Sequence, residues 1–190
     1  MWIFPVAIAI LLILTLSLFW THPRGGPWIP SSRKAVRQML DLAQIKPGEL
    51  VYDLGCGDGR IIIAAAKKYH ARAVGIELDP IRWLWCQLLI TLLGLRGQVR
   101  IIYGDLFQQN LSKADVVVCY LLPEATRKLQ DKLLRELQPQ TRVVSNTFIF
   151  PGIRERAKNG KARLYLFSPE NTMAAYIKEQ LEKSSREEYP

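Results

Sequence analysis

Histidine and cysteine are scarce in this chain of 190 residues. His22 and His70 alone leave little material for a His-rich metal site or a His-dependent nucleophilic triad. Cys56, Cys86 and Cys119 are odd in number, widely spaced and without a CxxC pair. That argues against a secreted disulfide framework or a zinc cluster and fits a reducing compartment. Acids are outnumbered, 17 Asp plus Glu against 26 Lys plus Arg, which leaves a net charge of +9. Compositions that stay unfolded are excluded, because 49% of the residues are hydrophobic and only 23% charged. The length suits about one domain, and no internal repeat is visible.

Charge is absent altogether before Arg24, and of residues 1 to 20 only Pro5, Thr15 and Ser17 fall outside the apolar set. Such a segment meets the ~20-residue requirement for a helix crossing the hydrocarbon core. Trp2 and Trp20 bracket it, about 27 Å apart along a helix, a separation suited to two interfacial aromatic belts. No basic stretch precedes it and no small-x-small cleavage site follows, so a retained transmembrane anchor over 1–21 is expected rather than a cleaved signal peptide. Arg24, Arg33, Lys34 and Arg37 follow the segment and no Lys or Arg precedes it. The positive-inside rule then places the remainder in the cytoplasm, as the soluble part of a single-pass membrane protein.

Residues 22–32, HPRGGPWIPSS, read as a juxtamembrane linker. The domain proper is expected over 33–190. Ser31 or Ser32 caps a helix running to about Gln44, with Val36, Met39, Leu40 and Ala43 on one face. Beyond it, strands and helices alternate. ELVYDL is a strand, RIIIAAAKKYH a helix, ARAVGIEL a strand, Ile81 to Leu95 a helix, and Val99 to Tyr103 a strand. Val116 to Tyr120 is a strand, Glu124 to Leu137 a helix, and Arg142 to Phe150 a strand. This alternation implies an α/β fold, a doubly wound, mostly parallel sheet with helices on both faces. ARLYLF and TMAAYIKE, joined by SPEN, read as a terminal hairpin, although Met173 to Leu181 suits a helix equally.

The chemistry concentrates where strands end. Asp53-Leu54-Gly55-Cys56-Gly57-Asp58-Gly59 passes from strand to helix, a junction where backbone amides can approach a small polar ligand. The spacing is GxGxG, and Asp53, two residues before the first glycine, would repel a pyrophosphate but suit an amino group. Glu77 ends the second strand, 22 residues after Gly55, where a carboxylate can accept from both hydroxyls of a ribose. Asp105 closes the third and could accept from an exocyclic adenine amine. Singly, each acid reads equally as a turn residue or a helix cap; their placement at successive strand ends is what points to a site.

VYDLGCGDGR, GIELDP and YGDLF together resemble the class I S-adenosylmethionine-dependent methyltransferases, over about Pro27 to Phe150. More narrowly, PWIPSS, DLGCGDGRIIIAAAK, ADVVVCYLLPEA and TRVVSNTF are similar to the small protein-lysine methyltransferases that include a broad-specificity archaeal enzyme and the mitochondrial enzyme acting on the ATP synthase c subunit. The resemblance implies a seven-stranded, Rossmann-like sheet and S-adenosyl-L-methionine as cofactor. It implies that Gly55, Gly57 and Gly59 cradle the methionine part and that Asp53 and Asp58 sit beside its amino group. Glu77 would hold the ribose, and Asp105 with Leu106 the adenine. Trp28 and the prolines of PWIPSS, Pro30 among them, would cover the cofactor as a lid. The family commonly has an aromatic residue followed by Val-Pro-Thr there, where this chain has Trp28, Ile29, Pro30 and Ser31.

On the acceptor side stand Cys119 and Tyr120, at the end of the fourth strand, with Trp28 as a further candidate. No activating partner for Cys119 as a covalent nucleophile is visible, and a Cys ending VVV reads as core. Tyr120 suits a slot for an incoming amine or an ordinary core position. Neither Asn-Pro-Pro-Tyr nor Asp-Pro-Pro-Tyr occurs, which disfavours amide and adenine acceptors. The resemblance implies protein lysine as the substrate, and a membrane tether points to membrane proteins in particular. No general base and no metal ligand is assigned. Rival readings are methylation of a membrane-associated quinone precursor or lipid, and a silent cofactor-binding module, against which Asp53, Glu77 and Asp105 count. Arg154, Arg156, Lys158, Lys161 and Arg163 cluster around Asn159-Gly160 as a solvated loop that could meet anionic lipid, with no specific nucleic acid expected. The helix carrying Trp83, Leu84, Trp85, Leu88, Leu89, Ile90, Leu92 and Leu93 is apolar on nearly every side and reads first as a core helix, with the membrane surface, the chain's own anchor or another subunit as alternatives for its second side.

Overall fold

The computed structural model describes residues 28–175 and, outside that stretch, only residues 4, 5, 8, 177 and 178. The expected anchor over 1–21 and most of the segment after 175 therefore lie outside the described residues, among which no helix is long and apolar enough to cross a membrane.

Helix α1 (Arg33–Leu42) starts where Ser32 Oγ accepts from Ala35 N at 3.1 Å and buries Val36, Met39 and Leu40. β1 (Leu50–Leu54) leads through the glycine loop to α2 (Arg60–Tyr69) and β2 (Arg72–Glu77). α3 (Pro80–Leu92) has proline in its first turn and Asp79 as cap, whose Oδ1 accepts from Ile81 N and Arg82 N, both at 2.9 Å. β3 (Val99–Tyr103), a 3-10 turn (Leu106–Gln108), β4 (Val116–Cys119), α4 (Pro123–Glu136) and β5 (Arg142–Asn146) follow. β6 (Glu155–Asn159) and β7 (Ala162–Leu166) complete one seven-stranded sheet in the order 3-2-1-4-5-7-6. β1 to β5 run parallel, while β7 is antiparallel to both β5 and β6.

Alternate strand residues feed two cores. Val51, Val116, Val118 and Val144 pack beneath α1 to α3, while Leu54, Val117 and Val143 pack against Leu129 and Leu133 of α4. Strand order reverses between β1 and β4, and the carboxyl ends of these strands therefore flank a crevice.

Two expectations need correction. β5 ends at Asn146 rather than Phe150, because Thr147 turns the chain at φ 69 and Ser145 Oγ donates to Phe148 O at 2.6 Å. Phe150 swings into the core, edge-on to Tyr165 and Phe167. The terminal hairpin is not ARLYLF with TMAAYIKE. It joins β6 to β7 through the two-residue turn Gly160–Lys161, with Gly160 at φ 62, and Met173 to Ala175 are helical. The basic cluster expected in a loop thus lies on this hairpin. Asn159-Gly160 was the signal for it, masked because every residue of β6 is exposed and the strand lacks apolar alternation.

Candidate active site

The crevice at the strand ends is lined by Trp28, Pro30, Asp53, Gly55, Asp58, Glu77, Asp105, Leu106 and Tyr120, so nine of the candidate residues meet in one cleft. Gly57 and Gly59 belong to the loop that forms one wall. Gly55 N and Cys56 N donate to Ile76 O at 2.9 and 3.0 Å, and Gly57 N donates to Glu77 Oε2 at 2.8 Å, which stitches the loop onto the end of β2. Gly57 has φ 58, and a Cβ there would lie 2.9 Å from Trp28 Cδ1; the glycine is what lets the indole rest on the loop. A Cβ on Gly59 would come within 2.8 Å of Cys86 Sγ.

The acids are not equivalent. Glu77 is buried; its Oε1 accepts from Asp79 N at 2.9 Å and lies 3.4 Å from Arg82 Nε. Asp58 accepts from Arg60 Nε at 2.8 and 3.0 Å and pairs with the same guanidinium through Nη2. Arg60 also donates to Ser31 O and so ties the glycine loop to the PWIPSS segment. Asp105 caps the 3-10 turn by accepting from Phe107 N at 2.9 Å, beside Gly104, whose N–H donates to Glu77 O. Asp53 differs from all of them. It is 2% exposed, and its Oδ2 has no hydrogen-bond partner. Burial first, then the charges of Glu77 and Asp58, push its carboxyl up to about 8. A cleft that faces such a group is complementary to a ligand bringing its own cationic donor.

Sequence reasoning passed over Arg60 and Arg82. The signal for Arg82 was present: it is the one charged residue of an otherwise apolar helix, and besides Glu77 and Asp79 its guanidinium meets the Trp28 ring 5.8 Å away. Arg60 follows the last glycine of the loop directly, where its reach to both loop and lid was available from position alone.

At the far end of the cleft, Tyr120 stacks on Phe148, with ring centroids 6.1 Å apart and planes 22° apart. Thr147, a β-branched residue in the left-handed region, places Phe148 there. Cys119 is fully buried and its thiol is pushed up to about 12 by that burial, so it is no nucleophile. Cys56 and Cys86 are likewise buried and free, and Cys86 Sγ donates to Gly57 O at 3.1 Å. Among the described residues no group of His, Cys, Asp and Glu is arranged to hold a metal ion.

Residues 53–157 match the profile of the ANTKMT methyltransferase domain. The chain belongs to this methyltransferase family. It is 42% identical over 127 residues to a protein-lysine N-methyltransferase of Saccharolobus islandicus (strain REY15A), a match covering 66% of this chain and 79% of that protein. Over 127 residues it is also 36% identical to the Homo sapiens lysine N-methyltransferase named for the ATP synthase c subunit, covering 66% of this chain but only 53% of the human one. It thus spans about half the length of that relative. Among solved structures, an RNA methyltransferase from Salinibacter ruber in complex with S-adenosyl-L-homocysteine superposes with a TM-score of 0.70 at 36% identity, covering 75% of this chain and 95% of that one. The methyltransferase uses S-adenosylmethionine. The cleft fits it: the ammonium of the methionine part would answer the unpartnered Asp53 oxygen, and the glycine loop under Trp28 leaves backbone where side chains would block entry.

Proposed function

We propose that this methyltransferase modifies lysine side chains of proteins, with membrane proteins as its first targets. What carries the reading is the pairing of an intact cofactor cleft with an acceptor end that holds aromatic rings, alongside relatives named for lysine methylation. In this reading Asp53 takes the cofactor's ammonium, with Asp58 beside it. Gly55, Gly57 and Gly59 cradle the methionine part, Glu77 accepts from the ribose, and Asp105 with Leu106 holds the adenine. Trp28 and Pro30 close over it. Residues 1–21 anchor the chain with its domain on the cytoplasmic side, and the basic β6–β7 hairpin adds attraction to anionic lipid.

The cofactor supplies an already activated methyl group on a sulfonium, so the protein's share is alignment and exclusion of water. Tyr120 and Phe148 line the approach of the acceptor, and their rings suit the alkyl stem of a lysine. A lysine, with an ordinary pKa of about 10.4, must reach the site as the neutral amine, helped by desolvation between those rings.

The full-length protein, membranes, cytosol and methyl-labelled S-adenosylmethionine test this together. Label should appear on lysine side chains of membrane proteins, should fall sharply when lysines are first blocked by reductive dimethylation, and should form faster as pH rises toward the amine's pKa. Label in RNA, the acceptor named for the Salinibacter ruber relative, or in extractable lipid or quinone, defeats the lysine assignment.

A further inference from the structure

Helix α3 buries only one side. Cys86 and Ile90 face the sheet, and Trp83 leans on Tyr103 at 5.9 Å. The other side presents Ile81, Leu84, Trp85, Leu88 and Leu92, exposed by 37 to 71%. Their spacing of i, i+3, i+4, i+7 and i+11 is that of a face meant to be covered. Its lone charge, Arg82, turns inward to Glu77 and Asp79.

The neighbouring helices border this stripe with positive charge. Between α1 and α2 runs a groove floored by Val36, Leu40 and Ile63, with Leu89 of α3 on its wall and Arg33, Arg37, Lys67 and Lys68 along it. In the whole α1–α3 layer the one acid within a helix is Asp41, which meets Arg37 and Tyr69. α4, on the opposite face of the sheet, balances Arg127, Lys128, Lys132 and Arg135 with Glu124, Asp131 and Glu136. Trp28 is seated against the first turn of α3.

We propose that the α1–α3 layer is a membrane-docking face: α3 lies in the headgroup region of an anionic bilayer, and Arg33, Arg37, Lys67 and Lys68 meet the lipid phosphates. An apolar helical stripe bordered by cations is what that interface accepts. A second copy is disfavoured, since a two-fold contact would set the same cationic borders against each other. The inference extends the membrane-anchored reading. Laid flat on this layer, the sheet points its carboxyl edge along the bilayer, so the cleft opens toward lysines at the membrane–water boundary.

The test uses the full chain and its Trp85→Phe variant, reconstituted in phosphatidylcholine–phosphatidylglycerol vesicles whose acyl chains carry bromine, a contact quencher of tryptophan. Trp2, Trp20, Trp28 and Trp83 are common to both proteins, so the difference reports Trp85 alone. We expect a quenched Trp85 component that shrinks in 1 M salt, in purely phosphatidylcholine vesicles, and in the Lys67→Glu, Lys68→Glu double variant. Each reversed charge should shift the docked-to-undocked ratio about fivefold or more. A chain retained in vesicles with Trp85 unquenched overturns the docking face. So does quenching indifferent to charge and salt, or shielding of Trp85 that follows protein concentration rather than bromination, which would mean a second copy. Complete release of the chain by salt would defeat the anchor instead, while the low-salt Trp85 signal would still report docking.

Discussion

Asp53 makes the sharpest prediction. Its carboxyl releases a proton near 3.8 in an unstructured chain and near 8 when buried in the ligand-free fold. Between those values the native state holds a proton that the unfolded chain has lost, so stability falls as pH rises, by at most about 1.4 kcal/mol per pH unit and on the order of 5 kcal/mol in all. Asp53→Asn keeps the shape and removes the titration. Denaturant unfolding of the ligand-free protein should therefore show a decline in stability from pH 5 to 8 in the parent and little in the variant. Ligand binding should run the other way. A cationic amine beside Asp53 favours the carboxylate, so S-adenosylhomocysteine binding should release a proton below pH 8 and strengthen with pH, up to about tenfold per unit. Asp53→Asn should weaken it by roughly ten- to a hundredfold, as for a lost hydrogen bond to a charged group. 5′-Methylthioadenosine, which lacks the amino acid part, should bind both proteins alike. Calorimetry decides the matter: pH-independent affinity for S-adenosylhomocysteine, or equal losses for both ligands, would refute the assignment of Asp53 to the ammonium.

Gly57→Ala puts a methyl group where Trp28 rests and strains a left-handed residue, so Trp28 should leave the loop, with a shift in tryptophan emission and a loss of cofactor affinity of tenfold or more; unchanged emission would mean the indole has other support. Arg60→Gln severs the link between Asp58 and Ser31 O. Amide exchange of residues 29–32 should quicken, and KM for S-adenosylmethionine should rise more than kcat falls. A selective loss of kcat would instead place Arg60 near the reacting atoms.

Five parallel strands were legible because their apolar runs are short, bounded by turns and separated by helical periodicity, as ELVYDL and VVVC show. The cleft acids were legible for a related reason: at the ends of buried strands a carboxylate stands out. β6 was not, since an edge strand with every side chain in water has no burial pattern to print on its sequence. The end of β5 was hidden by Thr147, whose left-handed backbone is imposed by its surroundings rather than by its residue type. α3 failed in the opposite direction. Apolar periodicity reports that a face wants covering, and Leu84, Trp85 and Leu92 show that the cover need not come from the sheet.

Four carboxylates crowd the carboxyl edge of β1 to β3, and the chain answers three of them itself. Glu77 has two backbone N–H groups and Arg82, Asp58 has Arg60, and Asp105 spends an oxygen on its own turn. Asp53 is the most deeply buried of the four, and one of its oxygens is left without a partner. A site built for structure alone would have placed an apolar or amide residue there, since an unpartnered buried carboxyl only subtracts from stability. Its presence makes sense if a cation comes with the ligand: burial by itself disfavours the ionised carboxyl, and a cationic amine would restore it. The same logic separates the two ends of the cleft. In the proposed reading Asp53 and Asp58 stand where the cofactor's cationic amine would be held, whereas Tyr120 and Phe148 would desolvate the acceptor and so favour the neutral amine that can attack.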